Sequence, residues 1–326
     1  MAIVRVIAGL ALGLSAGAGA WAQAWPSKPV RIVLGFPPGI APDTVARMLV
    51  DKFRAQIGQS FVVENRPGAA GTIAGTQVAQ SAPDGYTLMF AVAASMSVAP
   101  HFLQSAKYHP VTDFAPIGFI QRSPYYIAVR ADVPINSFEE LIAYGKTKPG
   151  VLNYGSPGLG TQHHLTWELM QWQTGARFTH IPLAGTPQII SEMLGGRLDA
   201  ILDGAGGPFA AQVKAGKLKL VAMTGTQPLP IFPSIQPIGK TALPGFESFS
   251  WWGLVAPLGT PAAIIARMNA ELNKALASAD VIDRLTEEGA IISATPGSTP
   301  EEFGKWIGTE YERWGKVIKD AGIKLQ

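Results

Sequence analysis

Three features are absent or scarce in this chain, and each argues against a class of protein or site. Cysteine does not occur in the 326 residues, which excludes thiolate metal sites, cysteine nucleophiles and a lipid anchor on an N-terminal cysteine. Charged residues make up only 15% of the chain, the net charge is +3, and no run of lysine or arginine exists, so nucleic-acid binding gains little support. Beyond the first residues, no stretch is apolar enough to cross a bilayer.

The composition that remains is typical of a globular, loop-rich protein. The chain is 47% apolar and contains 36 glycines and 26 prolines. A length of 326 residues is enough for two domains with a sizeable core. Neither an internal repeat of fixed period nor a low-complexity tract is present.

The N-terminal segment predicts a secretory signal at residues 1–22. Arg5 precedes an apolar run over residues 6–14, and small residues follow in an A-x-A pattern that predicts cleavage before Gln23. A buried N-terminal helix is the alternative, and it fits less well because glycine and alanine crowd the segment. We therefore expect an exported protein, most simply a periplasmic one.

Short apolar runs with strand character alternate with helical patterns along the chain. Strands are predicted at residues 30–36, 60–66, 86–93, 117–132, 151–156, 178–183, 198–204, 218–225 and 249–257. Helices are predicted at residues 44–58, 71–82, 137–150, 162–175, 186–196, 208–216, 261–278 and 299–322. This β-α-β-α-β order indicates an α/β protein whose sheets are largely parallel and covered by helices on both faces.

Two long extended segments, around residues 117–130 and 219–252, resemble crossings between two α/β lobes. We expect lobe one to comprise residues 23–123 with 248–326, and lobe two to comprise residues 124–247. A cleft between such lobes is the expected ligand site, because strand C-termini and helix N-termini point into it.

Three turns share one property, since in each a strand ends, glycines follow and a helix begins. They are the turns at residues 36–43, 67–72 and 156–161. Each offers backbone N–H groups near a helix N-terminus, and hydroxyls are added by Thr72, Ser156 and Thr161. A carboxylate held at each end would suit this arrangement, although glycine-rich turns are also common structural devices.

The sequence offers no catalytic constellation. Ser156 lies in a run that misses G-x-S-x-G because tyrosine replaces the first glycine, and Pro157 lacks the N–H that an oxyanion hole needs. The turn at residues 158–160 lacks the third glycine of a dinucleotide loop, and no P-loop motif occurs. Neither a cofactor nor a metal is expected, since the adjacent His163 and His164 face different directions on a helix.

Several polar residues near these turns have both a structural and a functional interpretation. One of the two adjacent histidines is expected to pack or cap while the other faces solvent; alternatively, His164 fixes the glycine loop or reaches the ligand. Asp203 is the one acid that we place in the cleft, although a helix cap or a loop brace is its favoured role. Asp43 is expected to be an N-cap.

Aromatic residues occur in two adjacent pairs, at residues 125–126 and 251–252. Adjacent side chains on a strand point to opposite faces, so only one member of each pair can face the cleft. Core packing is the default interpretation of both pairs.

Specific runs of sequence extend over about residues 25–324, and they include VRIVLGFPPG, VVENRPGAAG, APDGYTL, YHPVTDFAPIG, NYGSPGLGTQHHL and LGGRLDAILD. Together they resemble the substrate-binding proteins of tripartite tricarboxylate transporters, also called Bug receptors. The resemblance implies a two-lobed type II periplasmic-binding-protein fold, each lobe being a mainly parallel sheet flanked by helices. It also implies that the lobes close around a small carboxylate and that the protein delivers this carboxylate to the large and small subunits of a membrane permease. We expect the protein to be a monomer.

The resemblance also implies which residues hold the carboxylate. In this family the ligand is held by the first βα loop and by the Ser/Gly loop of lobe two, often through waters. Carried over to the matching positions, this points to Phe36, Pro37, Pro38, Gly39, Ala41, Asp43, Ala70, Gly71, Thr72, Ser156, Gly160, Thr161, His164, Ala184 and Asp203.

Three departures from the family pattern make the predicted cleft less polar. Ile40 and Pro42 interrupt the family's FPPGG-x-[TS]-D, and Pro42 supplies neither an N–H nor a hydroxyl at the helix N-terminus. Residues 183–186 read LAGT where the family often has YKGG, and SPGLGTQHH replaces SSGNGSSSH. We therefore hypothesise a less polar carboxylate, for example an aromatic one, rather than citrate or an amino acid.

A non-enzymatic receptor that closes on its ligand is the leading interpretation. An enzyme on the same scaffold, such as a hydrolase or lyase, is the runner-up, and it would need a catalytic constellation that the sequence does not offer. A sensor that signals to a membrane partner without transport is a third interpretation, which the sequence does not separate from the first.

Overall fold

The computed structural model describes residues 25–291 and 298–322. The predicted signal at residues 1–22 lies outside this part of the chain. Within the described residues, no helix combines the length and the hydropathy needed to span a membrane.

Two five-stranded sheets form the centres of two lobes. The first sheet contains, in spatial order, β2 (Phe61–Asn65), β1 (Val30–Leu34), β3 (Thr87–Val92), β10 (Phe249–Pro257) and β4 (Phe114–Pro124). The second contains β7 (Thr179–Pro182), β6 (Asn153–Ser156), β8 (Ala200–Asp203), β5 (Tyr126–Arg130) and β9 (Leu218–Met223). In each sheet the fourth strand runs antiparallel to both neighbours while the first three strands are parallel, so the predicted two-lobed α/β architecture is confirmed.

Helices flank both sheets, as expected from the alternating pattern. They are α1 (Ala41–Ile57), α2 (Thr72–Ala79), α3 (Phe138–Thr147), α4 (Gln162–Thr174), α5 (Thr186–Leu194), α6 (Gly207–Lys214), α7 (Ala262–Leu276), α8 (Ala279–Glu287) and α9 (Pro300–Asp320). Short helical turns add Ala69–Gly71, Ala94–Val98, Ala99–His101 and Ile238–Lys240. A capping box begins α9, because the Thr299 hydroxyl and the Glu302 carboxylate each accept the other residue's backbone N–H.

Two local predictions were wrong for identifiable reasons. Helix α1 begins at Ala41 rather than at residue 44. Pro42 is tolerated in the first turn because N–H groups there have no hydrogen-bond partner within the helix. Asp43 is therefore inside the helix, and the N-cap is Ile40. The predicted strand at residues 117–132 is two strands, interrupted at Tyr125, that belong to different sheets.

The two crossings between the lobes are hydrogen-bonded to each other. The chain enters the second sheet at Tyr125 and returns to the first between β9 and β10. The N–H of Tyr125 donates to the Thr224 hydroxyl at 2.9 Å, the Thr224 N–H donates to the Tyr125 carbonyl at 2.9 Å, and the Thr224 hydroxyl donates to the Ser248 carbonyl. Thr224 thus holds the crossing strands side by side.

Helix α9 packs against both lobes. Phe303 and Ile307 are buried in the core of the first sheet with Trp251. About two turns beyond Ile307, Trp314 is fully buried in the core of the second sheet, in the cluster that contains Tyr154. The helix therefore contributes side chains to the cores of both lobes.

We predict that Trp314→Ala lowers the free energy of unfolding by about 3–5 kcal/mol, because it removes a large, fully buried side chain. Trp172→Ala is the matched control: Trp172 is 47% exposed on α4, and its loss should cost less than about 1 kcal/mol. Urea unfolding followed by circular dichroism measures both. Equal losses in the two variants would contradict the proposed packing of α9.

Candidate functional site

A cleft of about 590 Å³ lies between the two lobes. Most of its wall is apolar and is made of glycine, proline and alanine together with a few large side chains such as Phe36, Leu159 and Trp252. All three glycine-containing turns singled out in the sequence contribute to the wall. The turns of both lobes therefore meet at one site, as the sequence predicted.

Five helices begin at this cleft, and four of them have no side-chain cap. The N-cap residues of α1, α2, α5 and α6 all line the cleft without a capping hydrogen bond, and they are Ile40, Gly71, Gly185 and Gly206. Only α4 is capped, by the Thr161 hydroxyl, which accepts the His164 N–H. First-turn N–H groups have no partner within a helix, and the N-terminus carries a partial positive charge. Uncapped N-termini from both lobes therefore favour an anion in the cleft.

Proline limits the number of donors at these N-termini. The second residue of α1, α5 and α6 is proline in each case, namely Pro42, Pro187 and Pro208. Each proline lines the cleft and removes one N–H. The loss of a donor inferred for Pro42 thus recurs in lobe two.

The first turn is fixed by the buried carboxylate of Asp43. This carboxylate accepts hydrogen bonds from the Gly39 N–H and the Asn65 amide, both at 2.9 Å, and from the Arg47 guanidinium at 3.0 Å. The Asn65 amide also donates to the Phe36 carbonyl at 3.0 Å. Burial alone would raise the pKa of Asp43, but these hydrogen bonds and the Arg47 charge outweigh it, and the pKa lies below its usual value. Asp43 therefore braces the turn from behind.

The second turn contains two alanines in the left-handed region. Ala69 and Ala70 have φ values of 47° and 53°, which L-residues rarely adopt, and both line the cleft. Thr72 is fully buried, donates from its hydroxyl to the Ala69 carbonyl at 2.8 Å, and lies 2.7 Å from the Ser105 hydroxyl. Thr72 thus helps to hold the turn in an unfavourable backbone conformation that keeps its residues at the cleft.

The third turn is held by a buried network beneath it. The Ser156 hydroxyl lies 2.6 Å from His180 Nε2 and 3.0 Å from the Gly158 carbonyl, and Ser156 is fully buried. A Cβ added at Gly160 would lie 2.1 Å from the Phe102 ring, and Gly160 has φ +70°. Only glycine therefore fits at residue 160, and the Ser156 hydroxyl is occupied behind the wall rather than in the cleft.

His164 fixes the same turn from the helix side. Its Nδ1 accepts the Gly160 N–H at 3.2 Å, and its ring stacks on His180 with centroids 4.1 Å apart. Burial lowers the pKa of His164 to about 3, with repulsion from His180 adding to the shift, and burial lowers the pKa of His180 to about 4. Since Nδ1 accepts, the neutral His164 carries its proton on Nε2, which lies 3.8 Å from the Glu168 carboxylate.

His163, rather than His164, lines the cleft. Its Nε2 lies 3.5 Å from the Asp203 carboxylate, and its ring meets Tyr125 edge-on at 4.8 Å. Asp203 also lines the cleft, where it accepts hydrogen bonds from the Thr186 hydroxyl and from the Gly204 N–H at 2.8 Å. Asp203 therefore braces the loop, one of its favoured structural roles, and does not cap α6.

The described part of the cleft wall contains one arginine and no lysine. Arg284 donates to Glu288, which also lines the cleft. Burial raises the pKa of Glu288; the Arg284 charge opposes the rise, while the Asp203 and Glu287 charges add to it. Because the arginine is already paired, an anion in the cleft would depend on backbone N–H groups and neutral side chains.

The structure brings nine of the predicted site residues to the cleft wall, and they are Phe36, Pro37, Gly39, Ala41, Ala70, Gly71, Thr161, Ala184 and Asp203. It places six others outside the wall, and they are Pro38, Asp43, Thr72, Ser156, Gly160 and His164. Pro38 is exposed, whereas the other five are buried in or behind the turns that they hold.

The crossing strands add lining residues that the sequence-based set does not contain. Gln121 and Ser123 of β4 and Ser250 of β10 line the cleft, as does Trp252. A signal was available, because polar residues at i and i+2 in an otherwise apolar strand indicate a shared polar face. The aromatic pairs divide as predicted, since Tyr125 and Trp252 face the cleft while their neighbours lie in the core.

Metal binding finds no support in the described residues. Within residues 25–291 and 298–322, no group of three or more histidine, aspartate or glutamate side chains is arranged to hold a metal ion.

Comparison with known proteins identifies the family. Residues 45–323 match the tripartite tricarboxylate transporter family receptor. The chain belongs to this family. It is 31% identical to the protein BugT of Bordetella pertussis, over 93% of this chain and 92% of that one. The prediction from the sequence motifs is confirmed, and the protein is a receptor rather than an enzyme.

Two solved structures of similar proteins contain carboxylates. The structure of Rpa4515 of R. palustris with adipate has 32% sequence identity and a TM-score of 0.82, and covers 92% of this chain and 99% of that one. The structure of MatC from Rhodopseudomonas palustris with bound malate has 29% identity and a TM-score of 0.81, and covers 90% and 99% of the two chains. These neighbours confirm the two-lobed periplasmic-binding-protein fold.

The stacked histidines predict an acid-sensitive fold. Both have a pKa in the folded state below the ordinary value of 6.5, so the unfolded chain binds more protons as the pH falls below 6.5. Stability should therefore be highest above pH 6.5, and each histidine should cost about 1.4 kcal/mol per pH unit below it until its own folded pKa is reached. Urea unfolding between pH 7.5 and pH 4.5 measures this slope.

His164→Asn should make this slope shallower, because the Asn oxygen can accept the Gly160 N–H without titrating. Trp172→Ala is the control, since Trp172 is exposed on the same helix and carries no titrating group, so the slope should stay unchanged. A slope that stays the same in His164→Asn would show that the stacked pair does not set the acid sensitivity.

Proposed function

We propose that this protein captures a small organic carboxylate in the cleft and delivers it to a tripartite tricarboxylate-type membrane permease. The observation that carries the proposal is the meeting of four uncapped helix N-termini, from both lobes, at one cavity. A carboxylate is the small organic anion that such N–H groups suit, and adipate and malate occupy the two neighbours described above.

The expected affinity follows from the donors. A hydrogen bond to a charged group contributes about 1.5–3 kcal/mol. Four or five such bonds, less the ordering and desolvation costs, reach about −8 kcal/mol, which corresponds to a micromolar Kd. The nine cleft-lining residues of the predicted set are proposed to contact the ligand or its waters, and the buried residues behind them to hold the turns.

The ligand is proposed to be an acid of low polarity, with an aromatic or aliphatic body. Leu159 and Ile40 occupy positions where the family pattern has a polar residue and a glycine, and both line the cleft. Phe36 and Trp252 add apolar surface, and no unpaired cation is present in the described wall. Such a cavity stabilises a hydrocarbon body more than a polyhydroxylated one.

The mode of action is proposed to be closure of two lobes about the crossing strands. Lobe one would comprise residues 23–123 and 248–326, and lobe two residues 124–247; the hydrogen bonds of Thr224 between the crossings support a hinge there. The closed, loaded monomer would dock on the large and small permease subunits in the periplasm, after export directed by residues 1–22.

A thermal-shift screen of the mature protein with mono-, di- and tricarboxylates tests this function. We expect a rise in Tm with low-polarity acids such as benzoate-type and medium-chain acids. A rise with citrate or malate and none with those acids would contradict the proposed low polarity, and no rise with any carboxylate would contradict the function itself. Uptake of the bound acid in a strain lacking the gene separates transport from sensing.

We predict that Leu159→Asn weakens binding of the best low-polarity acid about fivefold, because the apolar contact of a half-exposed leucine at the cleft is lost. Leu258→Asn is the matched control, since Leu258 is 61% exposed and lies outside the cleft wall. Isothermal titration calorimetry measures both Kd values. Unchanged binding in Leu159→Asn would argue against a ligand body that contacts this turn.

A further inference from the structure

The floor of the cleft is formed by the crossing strands. Gln121 and Ser123 of β4 are the direct cross-strand partners of Trp252 and Ser250 of β10, and all four residues line the cavity. Side chains directly opposite each other on neighbouring strands lie close together, so these four form one continuous patch. This patch contains polar groups in a wall that is otherwise mostly apolar.

Gln121 carries an unused donor in this patch. Its side chain is 1% exposed, and its Oε1 accepts the Ser123 hydroxyl at 2.5 Å. With the oxygen held in this way, the amide nitrogen Nε2 presents two N–H groups, and neither has a hydrogen-bond partner in the described part of the chain. Buried polar groups are nearly always paired. The partner of this lining amide therefore comes from the cavity, as water in the open cleft or as the ligand that displaces it.

Three of the neighbouring polar side chains are already engaged. The Tyr125 hydroxyl donates to Gln162 Oε1 at 3.3 Å, and Gln162 Nε2 donates to the Phe249 carbonyl at 2.6 Å. The Ser123 hydroxyl is used by Gln121 itself. Beside these groups, the Trp252 ring packs against Phe90 and presents apolar surface. The Gln121 amide is thus an uncharged hydrogen-bond donor. Few other polar groups near it lack a hydrogen-bond partner.

We propose that Gln121, positioned by Ser123, donates a hydrogen bond to a second oxygen acceptor of the bound acid. The inference rests on the proposed function and deepens it, because it adds a selective contact at the hinge floor to the anion site at the helix N-termini. A buried donor left unpaired disfavours a ligand that lacks the matching acceptor. The cleft should therefore select acids that carry a second carboxylate or carbonyl oxygen across an apolar body.

Matched acid pairs test this selectivity. Adipate and hexanoate differ in one carboxylate, as do terephthalate and 4-methylbenzoate, and isothermal titration calorimetry measures the Kd of each. The wild-type protein should prefer the diacid of at least one pair by about tenfold or more. Gln121→Leu should abolish most of this preference by weakening the diacid, while the Kd of the monoacid changes less than about twofold.

Three further variants separate a ligand contact from a structural role. Gln121→Glu keeps the shape but removes the donor, and it should weaken the diacid more than Gln121→Leu because two carboxylates then repel each other. Ser123→Ala should reduce the preference in part, since the amide loses its orientation. Gln77→Leu is the control, because Gln77 pairs with Glu64 outside the cleft and should leave both Kd values unchanged. Circular dichroism confirms that each variant is folded.

The outcomes distinguish this inference from the proposed function. Acid binding without a diacid preference, or equal losses for both members of a pair in Gln121→Leu, overturns the role of Gln121 and leaves the receptor function intact. If the wild-type protein binds none of the carboxylates in the screen, both proposals fail. A diacid preference that Gln121→Leu removes and Gln77→Leu retains supports the inference.

Discussion

Helix N-termini that have no side-chain cap are the feature on which the proposed site depends. Four helices begin at the same cavity without a side-chain cap, and these helices come from two different sheets. The arrangement follows from topology, since helices that follow parallel strands all begin at the same edge of their sheet. The chain crosses between the sheets from β4 to β5 and from β9 to β10, and the two edges meet at the cleft. An anion can thus be held by the backbone of both lobes, without a charged side chain.

Several side chains that hold the three turns in place lie behind the cleft wall rather than in it. Asp43, Thr72 and His164 are buried, and each hydrogen-bonds to a turn. His180 is partly buried, stacks on His164 and contacts the Ser156 hydroxyl beneath the third turn. Their roles explain why a set of residues matched to the family contains both cleft-lining and hidden positions. A change behind a turn can alter binding as much as a change at the wall, because the turn carries the donors.

Much of the architecture could be predicted from local patterns, whereas contacts between distant segments could not. Alternating strands and helices predicted two α/β lobes, and strand–glycine–helix turns predicted where the site would form. The sequence left two roles open for His164, because one residue on a helix turns the side-chain direction by about 100°. His164 fixes the glycine loop, which is one of these two roles, and His163 lines the cavity. Polar residues at 121 and 123 signal a shared polar face, but the place of that face in the cleft depends on Trp252 and Ser250, which lie about 130 positions further along the chain.

A crystal structure of the mature protein with its bound acid tests the central claim most directly. The account predicts a carboxylate oxygen within hydrogen-bond distance, about 2.7–3.2 Å, of backbone nitrogens in the first turns of helices from both lobes. A carboxylate that instead pairs with a lysine or arginine side chain, or that binds outside the cleft while these N–H groups face only water, would contradict it.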